Sequence, residues 1–600
     1  EISCSLVGSE MCIRDSNRKG FLHMKKKLLP ALIVTGLIIL VVIIMGITAL
    51  INKYTPTKKT EDLKEYFNIS SDDEAALIVD NELSDYKAKI IDKKIYVDYK
   101  FVHDSLNSRF YWDANENVLL YTTASDIISA AADSNSYSVT KQTNDFGYPI
   151  VKATSDSALI ALDYVKQYSN ITFKSYDDPA RIVITSKWDE IDSATVSKST
   201  QVRVRGGIKS PILKEVKKDD KITILDSGDK WDKVATEDGI IGYIKRKALS
   251  ESKKTKLTNP DYEEETFTHI KKDKDICLAW NQVTSQSANS KVPQVISSTK
   301  GINVMSPTWF YLNDNNGNLA DIASKDYVNY CHSQGIEVWG LFSNLENTDV
   351  DAAYVLTHTS TRTTLINQIM SAAFNYELDG VNIDFENITE AAYGDSYIEF
   401  IRELAIKCHN NGISLSVDVT VPASFNKFFN RSDMANFADY IVIMGYDEHY
   451  KGSDAGSVSS IPWVTEGVES TLKEVPADQI ILGMPFYTRI WELTPKEDDD
   501  AVTDTEDQSK YTVASQVYSM DAAAAQLATN NATAALDEES GQNYAEWSVS
   551  NKLYKVWLED TTSLEKRLKL VDDNKLAGAA FWKLGFENSS VWDTVIKYLN

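Results

Sequence analysis

Short apolar runs recur through the second half of the chain, separated by longer stretches in which apolar residues return every three or four positions. The first pattern is typical of strands buried on both faces, and the second of amphipathic helices. The runs are ICLAWNQV, INVMSPTWFYL, IEVWGLFSN, GVNIDFE, ISLSVDVTVP, YIVIMGYDE, IILGMPFYTRIW and LAGAAFWKLG. The helix-like stretches include Asp321–Ser333, Thr363–Tyr376 and Ser396–Asn410.

This alternation predicts an α/β fold, a (β/α)8 TIM barrel, over residues 272–600. A doubly wound open sheet is the alternative, but no glycine-rich phosphate loop supports it. An acidic segment rich in Ala, Asn and Gln, about residues 495–546, reads as a small insertion before the last strand.

In the fourth run, within Leu378–Thr389, apolar and polar side chains alternate along the chain. The two sets are Val381, Ile383 and Phe385 on one side and Asn382, Asp384 and Glu386 on the other. A strand with one face in water would explain this pattern, but a closed barrel has no solvated strand face. Unpaired carboxylates in a packed lumen cost several kcal/mol, so the polar set is expected at the barrel mouth, where catalytic groups collect. Asp384 and Glu386 lie ~6.6 Å apart along the strand, which suits several glycosidase mechanisms and selects none.

The N-terminal region predicts a membrane anchor. The run Leu28–Ile51 carries no charge and, at ~1.5 Å per residue, is long enough to cross a ~30 Å hydrocarbon layer. Lysines 25–27 precede it and only Lys53 follows closely, so the positive-inside rule places the N-terminus in the cytoplasm and the catalytic domain outside. Residues 24–54 are therefore interpreted as a cytoplasmic stub and single-pass signal anchor of the cell membrane. Residues 1–23 resemble adapter-derived read-through, and we expect a non-native leader that ends before Met24.

Two small domains are expected between the anchor and the barrel, after a polar linker over residues 55–65. Within residues 66–190, Lys93–Thr123 and Pro149–Ser186 each read as a strand, a helix and two strands around an Asp-containing turn. The first block resembles the copper amine oxidase N-terminal-like stalk domain. That resemblance implies a small α+β spacer or wall contact, and the block has no metal-ligand cluster.

Residues 196–250 read as short strands divided by turns and resemble a small all-β bacterial SH3-like domain, with Trp231 and Tyr243 at the expected aromatic places. This unit holds 13 Lys/Arg and 8 Asp/Glu, a net +5 within a chain of −25. The resemblance implies contact with the cell wall, and an inert spacer with a solvated basic surface is the alternative.

The overall charge and the cysteines argue against nucleic-acid binding, a zinc site and a disulfide framework. With 62 basic and 87 acidic residues, the chain is not expected to bind nucleic acid. The five cysteines show neither zinc-type spacing nor a disulfide framework. They are Cys4, Cys12, Cys277, Cys331 and Cys408. No metal and no cofactor is predicted.

DGVNIDFE resembles the signature of family 18 glycoside hydrolases, Asp-Gly-x-Asp-x-Asp-x-Glu, and departs from it at Asn382, where many chitinases have a third Asp. The same replacement is familiar in the branch that resembles spore-cortex and peptidoglycan N-acetylglucosaminidases. Further pieces agree in order: IVIMGYDEHY, GMPFYTRIW, and VWLED followed by LAGAAFWKLGFEN.

The resemblance implies a retaining, substrate-assisted mechanism. Glu386 would be the acid and then the base, Asp384 would hold the acetamido N–H of the substrate, and Tyr446 would bond its oxygen. The residues implied to contact the substrate are Asn382, Asp447, Trp582, Met444, Tyr487 and Arg489. Of these, Met444 is expected to pack rather than to touch the sugar. For Trp582 the alternative is an ordinary core tryptophan. Asn382 cannot take up or release a proton as an Asp at this position could. We therefore expect the enzyme to be active but with an altered acidic limb of its pH–rate profile.

The sequence thus predicts a membrane-anchored extracellular glycosidase that cleaves β-linkages at N-acetylglucosamine, with a polysaccharide substrate, peptidoglycan or a chitin-like glycan. The expected membrane anchor, the stalk domain and the basic SH3-like domain favour peptidoglycan as the substrate. A non-catalytic carbohydrate-binding protein of the cell surface is the alternative, although such proteins usually lack the terminal acid that Glu386 supplies. A surface protein whose stalk and SH3-like domains carry the main interactions is a third interpretation.

Overall fold

The structure, a computed structural model, describes residues 20–386, 388, 391–496 and 507–599. Most of the expected leader (residues 1–19) and the segment 497–506 of the expected insertion lie outside the described residues. The chain divides into two compact units. The N-terminal unit comprises residues 1–93 and 170–260, and the barrel unit comprises residues 94–169 and 261–600.

The N-terminal unit contains helix Gly20–Tyr54 and the short helix Leu63–Tyr66. The stretch Pro30–Tyr54 is long and apolar enough to cross a membrane, and none of its most apolar part is buried.

Two sheets in this unit share one apolar core, which includes Phe67, Ile78, Val202 and Val234. Four strands pair in the order Thr172–Tyr176, Arg181–Thr185, Glu74–Val79 and Glu82–Ile91. A seven-stranded antiparallel sheet follows in the order Ile212–Val216, Thr200–Arg203, Ile241–Lys245, Trp231–Thr236, Lys221–Asp226, Glu190–Thr195 and Lys253–Lys256.

The first segment of the barrel unit is a small α+β layer. Its helices are Tyr99–Ser105 and Leu162–Gln167, and Ala158–Ala161 pairs with both Lys94–Asp98 and Val151–Ala153. An antiparallel meander follows the order Phe110–Asp113, Val118–Thr122, Ile127–Ala131, Ser136–Val139 and Gln142–Asp145. The meander contacts the barrel through buried polar groups, since Thr122 Oγ1 donates to Glu399 (2.8 Å) and the Tyr111 and Ser396 hydroxyls lie 2.9 Å apart.

Eight parallel strands form a closed barrel, as the sequence pattern predicted. They are β1 (Ile276–Asn281), β2 (Val304–Leu312), β3 (Glu337–Ser343), β4 (Gly380–Asp384), β5 (Ser414–Thr420), β6 (Tyr440–Met444), β7 (Ile480–Pro485) and β8 (Gly578–Trp582). Each strand pairs with the next, and β1 pairs with both β2 and β8, which closes the ring. The (β/α)8 prediction is therefore confirmed.

Helices and one additional sheet surround the barrel. The helices are Val292–Ile296, Lys325–Ser333, Ala352–Thr357, Thr359–Tyr376, Gly394–His409, Arg431–Phe437, Ile461–Thr471, Thr561–Asp573 and Val591–Tyr598. The short strand Leu319–Asp321 pairs antiparallel with β2. Among the described residues between β7 and helix Thr561–Asp573, five antiparallel strands and helix Met520–Thr529 form a small insertion. The strands pair in the order Tyr511–Ser519, Tyr487–Pro495, Lys552–Leu558, Gln542–Val549 and Ala535–Asp537.

The barrel strands separate two cores. The outer core, between strands and helices, contains Val381, Ile383 and Phe385, all nearly fully buried. The lumen core is a distinct set, Ile276, Leu278, Trp280, Val304, Trp339, Leu341, Tyr440, Val442, Ile481 and Ala580. The residues of β4 that alternate with the outer-core set therefore point into the lumen. Gly380 begins β4 because a Cβ there would lie 2.5 Å from Trp339 Cδ1.

Candidate active site

Asn382 lies in the lumen, fully buried, and all four of its hydrogen-bonding positions are satisfied. Its Oδ1 accepts from Trp280 Nε1 (3.0 Å) and Ser306 Oγ (3.0 Å), and its Nδ2 donates to Ser416 Oγ (3.0 Å) and Asp418 Oδ1 (2.7 Å). An indole N–H can only donate, which fixes the amide oxygen toward Trp280 and the amide nitrogen toward Asp418.

Asp384, the last residue of β4, is shielded in an acidic neighbourhood. Its Oδ1 is buried and has no hydrogen-bond partner among the described residues. Desolvation holds the pKa of Asp384 well above its usual range, and the carboxylates of Asp418, Glu386 and Glu346 raise it further. The group is therefore protonated more readily than an ordinary aspartate.

Glu386 follows β4 at the barrel mouth, where its side chain is exposed. The surrounding protein still removes part of its hydration, and this desolvation, with the carboxylates of Asp447 and Glu346, raises the pKa of Glu386. A carboxyl that keeps its proton above the ordinary glutamate range and is open to the mouth is suited to general acid catalysis.

The loop after β6 and the strand Tyr487–Pro495 after β7 place three polar side chains together. The Tyr487 hydroxyl donates to Asp447 Oδ1, and Arg489 Nη2 lies 3.7 Å from the same oxygen. Asp447 has a left-handed backbone (φ +62°), and the Arg489 Nε is buried with no hydrogen-bond partner in the described part of the chain. Burial raises the pKa of Tyr446, as do the carboxylates of the β4 and β5 residues beside it.

Aromatic rings form the floor of the site. The rings of Trp280 and Trp582 meet edge to face with centroids 6.0 Å apart, and Tyr446 packs against Trp280 at 6.4 Å. Trp582 is only partly buried, so part of its surface remains accessible. Met444 ends β6 and is buried, which is a packing position.

The predicted site residues lie on the lumen face or at the carboxyl ends of the barrel strands, whereas Asp379, the first residue of the DGVNIDFE motif, lies at the other end of β4. Asp379 precedes β4 and accepts hydrogen bonds from His332 Nε2 (2.7 Å) and Val338 N (2.8 Å). Its position at the opposite end of the strand makes it a structural part of the motif.

Two carboxylates at the site were missed by sequence reasoning. Asp418 could have been found from the sequence of β5. There Ser414, Ser416 and Asp418 alternate with apolar residues, in the same way as the polar residues of β4. Glu346 lies in the loop after β3, where it accepts a hydrogen bond from Ser343 Oγ and has no periodic pattern to identify it. Among the described residues, no group of three or more His, Cys, Asp or Glu side chains is arranged to hold a metal ion.

An exposed acid of raised pKa, a shielded carboxyl two residues before it and an aromatic floor at the mouth of a parallel barrel define a glycosidase. The family comparison agrees, because residues 339–587 match the family described as Glycosyl hydrolases family 18. Over these residues the chain is therefore similar to the glycosyl hydrolases of family 18.

Relatives of the chain include bacterial proteins named as a glycosylase and as a cortical fragment-lytic enzyme. The chain is 24% identical over 302 residues to the uncharacterized glycosylase YvbX of Bacillus subtilis. This alignment covers 47% of this chain and 81% of YvbX. It is 24% identical over 287 residues to the cortical fragment-lytic enzyme of the same organism, which covers 46% of this chain and 63% of that protein. The solved structure of the Bacillus cereus spore cortex-lytic enzyme SleL is 18% identical with a TM-score of 0.48, over 58% of this chain and 77% of that chain.

Proposed function

We propose that the barrel hydrolyses β-linkages next to N-acetylglucosamine in a cell-wall glycan by a retaining, substrate-assisted mechanism. The observation that carries this proposal is the pairing of an exposed acid of raised pKa, Glu386, with the shielded Asp384 that ends β4 two residues before it. One group is suited to donate a proton to a leaving oxygen, and the other to stabilise charge inside the site.

The proposed reaction uses the substrate's own acetamido group as nucleophile. Glu386 protonates the glycosidic oxygen while the acetamido carbonyl oxygen attacks the anomeric carbon and the bond to the leaving sugar breaks. Asp384 holds the acetamido N–H, and Tyr446 donates its hydroxyl to the acetamido oxygen. Glu386, now ionised, then takes a proton from the water that opens the oxazolinium ion, which restores the starting state.

The remaining site residues position the sugar. The partly exposed Trp582 ring offers a flat apolar surface beneath the bound ring. Asp447 is held by Tyr487 and Arg489, so its carboxylate has a fixed direction in which to accept sugar hydroxyls. Met444 supports the floor, and Asn382 orients the groups beneath the substrate.

Peptidoglycan is the proposed substrate. The similarity to a cortical fragment-lytic enzyme supports a wall glycan. The basic character of residues 196–250 supports contact with anionic wall components, and the apolar helix supports a position at the membrane with the barrel outside.

The test is product analysis with two glycans. The detergent-solubilised full chain and its Glu386→Gln variant are incubated with purified peptidoglycan and with chitin oligosaccharides, and the products are read by mass spectrometry. New N-acetylglucosamine reducing ends from the wild type alone are expected, with peptidoglycan preferred. A preference for chitin would reject the substrate assignment, and binding of both glycans without cleavage would reject the proposed hydrolysis.

A further inference from the structure

The antiparallel meander, residues 110–145, docks on two barrel helices although it lies outside the segment that matches family 18. These helices are Thr359–Tyr376, between β3 and β4, and Gly394–His409, between β4 and β5. The chain reaches them through the loops that carry Glu346 and Glu386. In a (β/α)8 barrel such loops leave the carboxyl ends of the strands, so both helices begin toward the mouth. The meander thus contacts the elements that hold these two loops.

A turn of the meander caps the first of these helices. The residue before the helix, His358, provides no side-chain cap. Asp113 supplies one instead: it is 1% exposed, and its Oδ2 accepts from the backbone N–H of Thr359 (2.7 Å) and from the Thr359 hydroxyl (2.6 Å). Glu116, in the same turn, accepts from the backbone N–H of Ser360 (3.0 Å). Two carboxylates at a helix N-terminus satisfy N–H groups that have no partner in the helix and interact favourably with its dipole.

The meander holds the second helix through buried side chains. Thr122 Oγ1 donates to Glu399 Oε1 (2.8 Å), and both side chains are inaccessible to solvent. The hydroxyls of Tyr111 and Ser396 lie 2.9 Å apart. The other Glu399 oxygen accepts from Arg402 Nη1 (2.9 Å). Loss of the Thr122 hydroxyl would therefore leave a buried carboxylate oxygen without its donor.

Arg362 joins the two helices at the same place. Its Nε donates to Glu403 Oε1 (2.9 Å), and its guanidinium lies 5.1 Å from the centre of the Tyr111 ring. Arg362 is fully buried. The meander and both helices thus meet in one buried polar junction. Because buried polar groups are costly unless they are paired, this junction favours a single relative position of the helices.

On the basis of the proposed function, we propose that Asp113 and Thr122 are positioning residues for the catalytic acid. They hold the N-termini of the helices after β3 and β4 and, with them, the loops that carry Glu346 and Glu386. They act through the helices and not on the substrate. Such placement matters because a misplacement of ~1 Å can lower the rate of the chemical step about 100-fold.

The test removes each contact with little change of side-chain shape. Thr122→Val removes the hydroxyl. Asp113→Asn leaves one oxygen where two now accept, Oδ1 from the backbone of its own turn and Oδ2 from Thr359. We expect each variant to lower kcat on peptidoglycan about tenfold, with KM within about twofold of the wild type. Thr122→Ser, which keeps the hydroxyl, should recover most of the kcat lost in Thr122→Val.

The pH profile distinguishes positioning from a general loss of stability. The titratable groups described around Glu386 are the acids Asp384, Asp418, Glu346, Tyr446 and Asp447. A looser mouth lets water reach Glu386 and lets Glu346 move away, and both changes lower the pKa of the Glu386 carboxyl. The alkaline limb of kcat/KM should therefore move to lower pH in Thr122→Val and in Asp113→Asn.

Thr471→Val is the matched control. Thr471 is as buried as Thr122, and its Oγ1 donates to the carbonyl of Gly467 (2.8 Å) within helix Ile461–Thr471, which follows β6. Loss of this hydroxyl should lower thermal stability without lowering kcat or moving the pH profile. Equal changes of kcat and of the pH profile in both Thr→Val variants would make the effect merely structural and overturn the proposal. Wild-type kcat and pH profile in Thr122→Val and Asp113→Asn would also overturn it.

Hydrogen–deuterium exchange of the full chain separates this proposal from the proposed function. The amides of residues 359–362 in Asp113→Asn, and of residues 394–400 in Thr122→Val, should exchange about tenfold faster than in the wild type, with no such change in Thr471→Val. Because the two variants act on different helices, either serves if the other does not fold. If exchange accelerates and the wild type cleaves neither glycan, the positioning contact stands and the proposed hydrolysis fails. If exchange at both helix starts is unchanged, the positioning role is rejected whatever the activity.

Discussion

At the residue scale, the chemistry of the site follows from the partners of Asn382. A carboxylate at this position would meet the indole N–H of Trp280 on one side and the Asp418 carboxylate on the other. The amide suits both neighbours because it can accept from the first and donate to the second. The departure from the three-Asp signature and the buried Asp418 are thus two parts of one arrangement.

Glu346 provides a prediction at this scale. Its carboxylate raises the pKa of Glu386, so Glu346→Gln should lower that pKa and Glu386 should lose its proton at lower pH. The alkaline limb of kcat/KM is expected to move to lower pH, and only modestly, since Glu346 is exposed and its field is screened. Glu337→Gln, at the opposite end of β3, is the control. An upward shift, or equal shifts in both variants, would contradict this role.

The sequence allowed some site residues to be predicted and concealed others for physical reasons. Asn382, Asp384 and Glu386 were identifiable because they alternate with apolar residues along one short segment, β4 and the two residues that follow it. Asp418 lies on a different strand, and the parallel pairing of β4 with β5 brings it next to Asp384. Glu346 sits in a loop, where a single carboxylate has no pattern that distinguishes it from a solvated one.

At the scale of elements, the barrel was predictable because each strand is buried on both faces and leaves a continuous apolar run. The strands of the insertion sheet do not appear in the sequence as continuous apolar runs of this kind. Its strand Tyr511–Ser519, for example, is mostly exposed or half-buried and carries small and polar residues, so its sequence resembles a loop. Its position is set by pairing with Tyr487–Pro495, which follows β7 directly.

A buried ion pair joins this insertion to the barrel helices. Arg567 Nη2 donates to both oxygens of Glu559, at 2.7 and 2.8 Å, and both side chains are inaccessible to solvent. Burial raises the pKa of Glu559 to about 7, against the opposing effect of Arg567. The pair connects the end of strand Lys552–Leu558 to helix Thr561–Asp573.

Removing Arg567 should destabilise the barrel unit in a pH-dependent way. Arg567→Met leaves the Glu559 carboxylate buried without a cation, at a cost of about 3–5 kcal/mol when it is ionised. The pKa of Glu559 then rises further in the folded state, so the destabilisation should be small at pH 5, where the group is neutral, and grow toward pH 8. Thermal unfolding at both pH values measures this. Lys569→Met, on the same helix but 61% exposed, should change little at either pH. Equal losses at pH 5 and pH 8 would contradict the argument.

At the scale of the whole molecule, charge and hydropathy are unevenly distributed. The chain carries a net charge of −25, whereas residues 196–250 are basic and Pro30–Tyr54 is apolar and unburied. We predict that the full chain fractionates with membranes and that a chain beginning at Lys58 is soluble, because removal of the apolar helix removes its gain from burial in lipid. Protease added to intact cells should digest the barrel. Protection of the barrel, or a soluble full chain, would contradict the proposed anchor and orientation.

The stereochemistry of hydrolysis tests the central claim most directly. The solubilised full chain is given a β-linked N-acetylglucosamine oligosaccharide and its analogue with a 2-hydroxyl in place of the acetamido group, and the first-formed anomer is read by proton NMR. The β-anomer from the acetamido substrate alone, lost in Glu386→Gln, is the predicted result. First formation of the α-anomer, or cleavage of both substrates at similar rates, would contradict a retaining mechanism that depends on the substrate's own acetamido group.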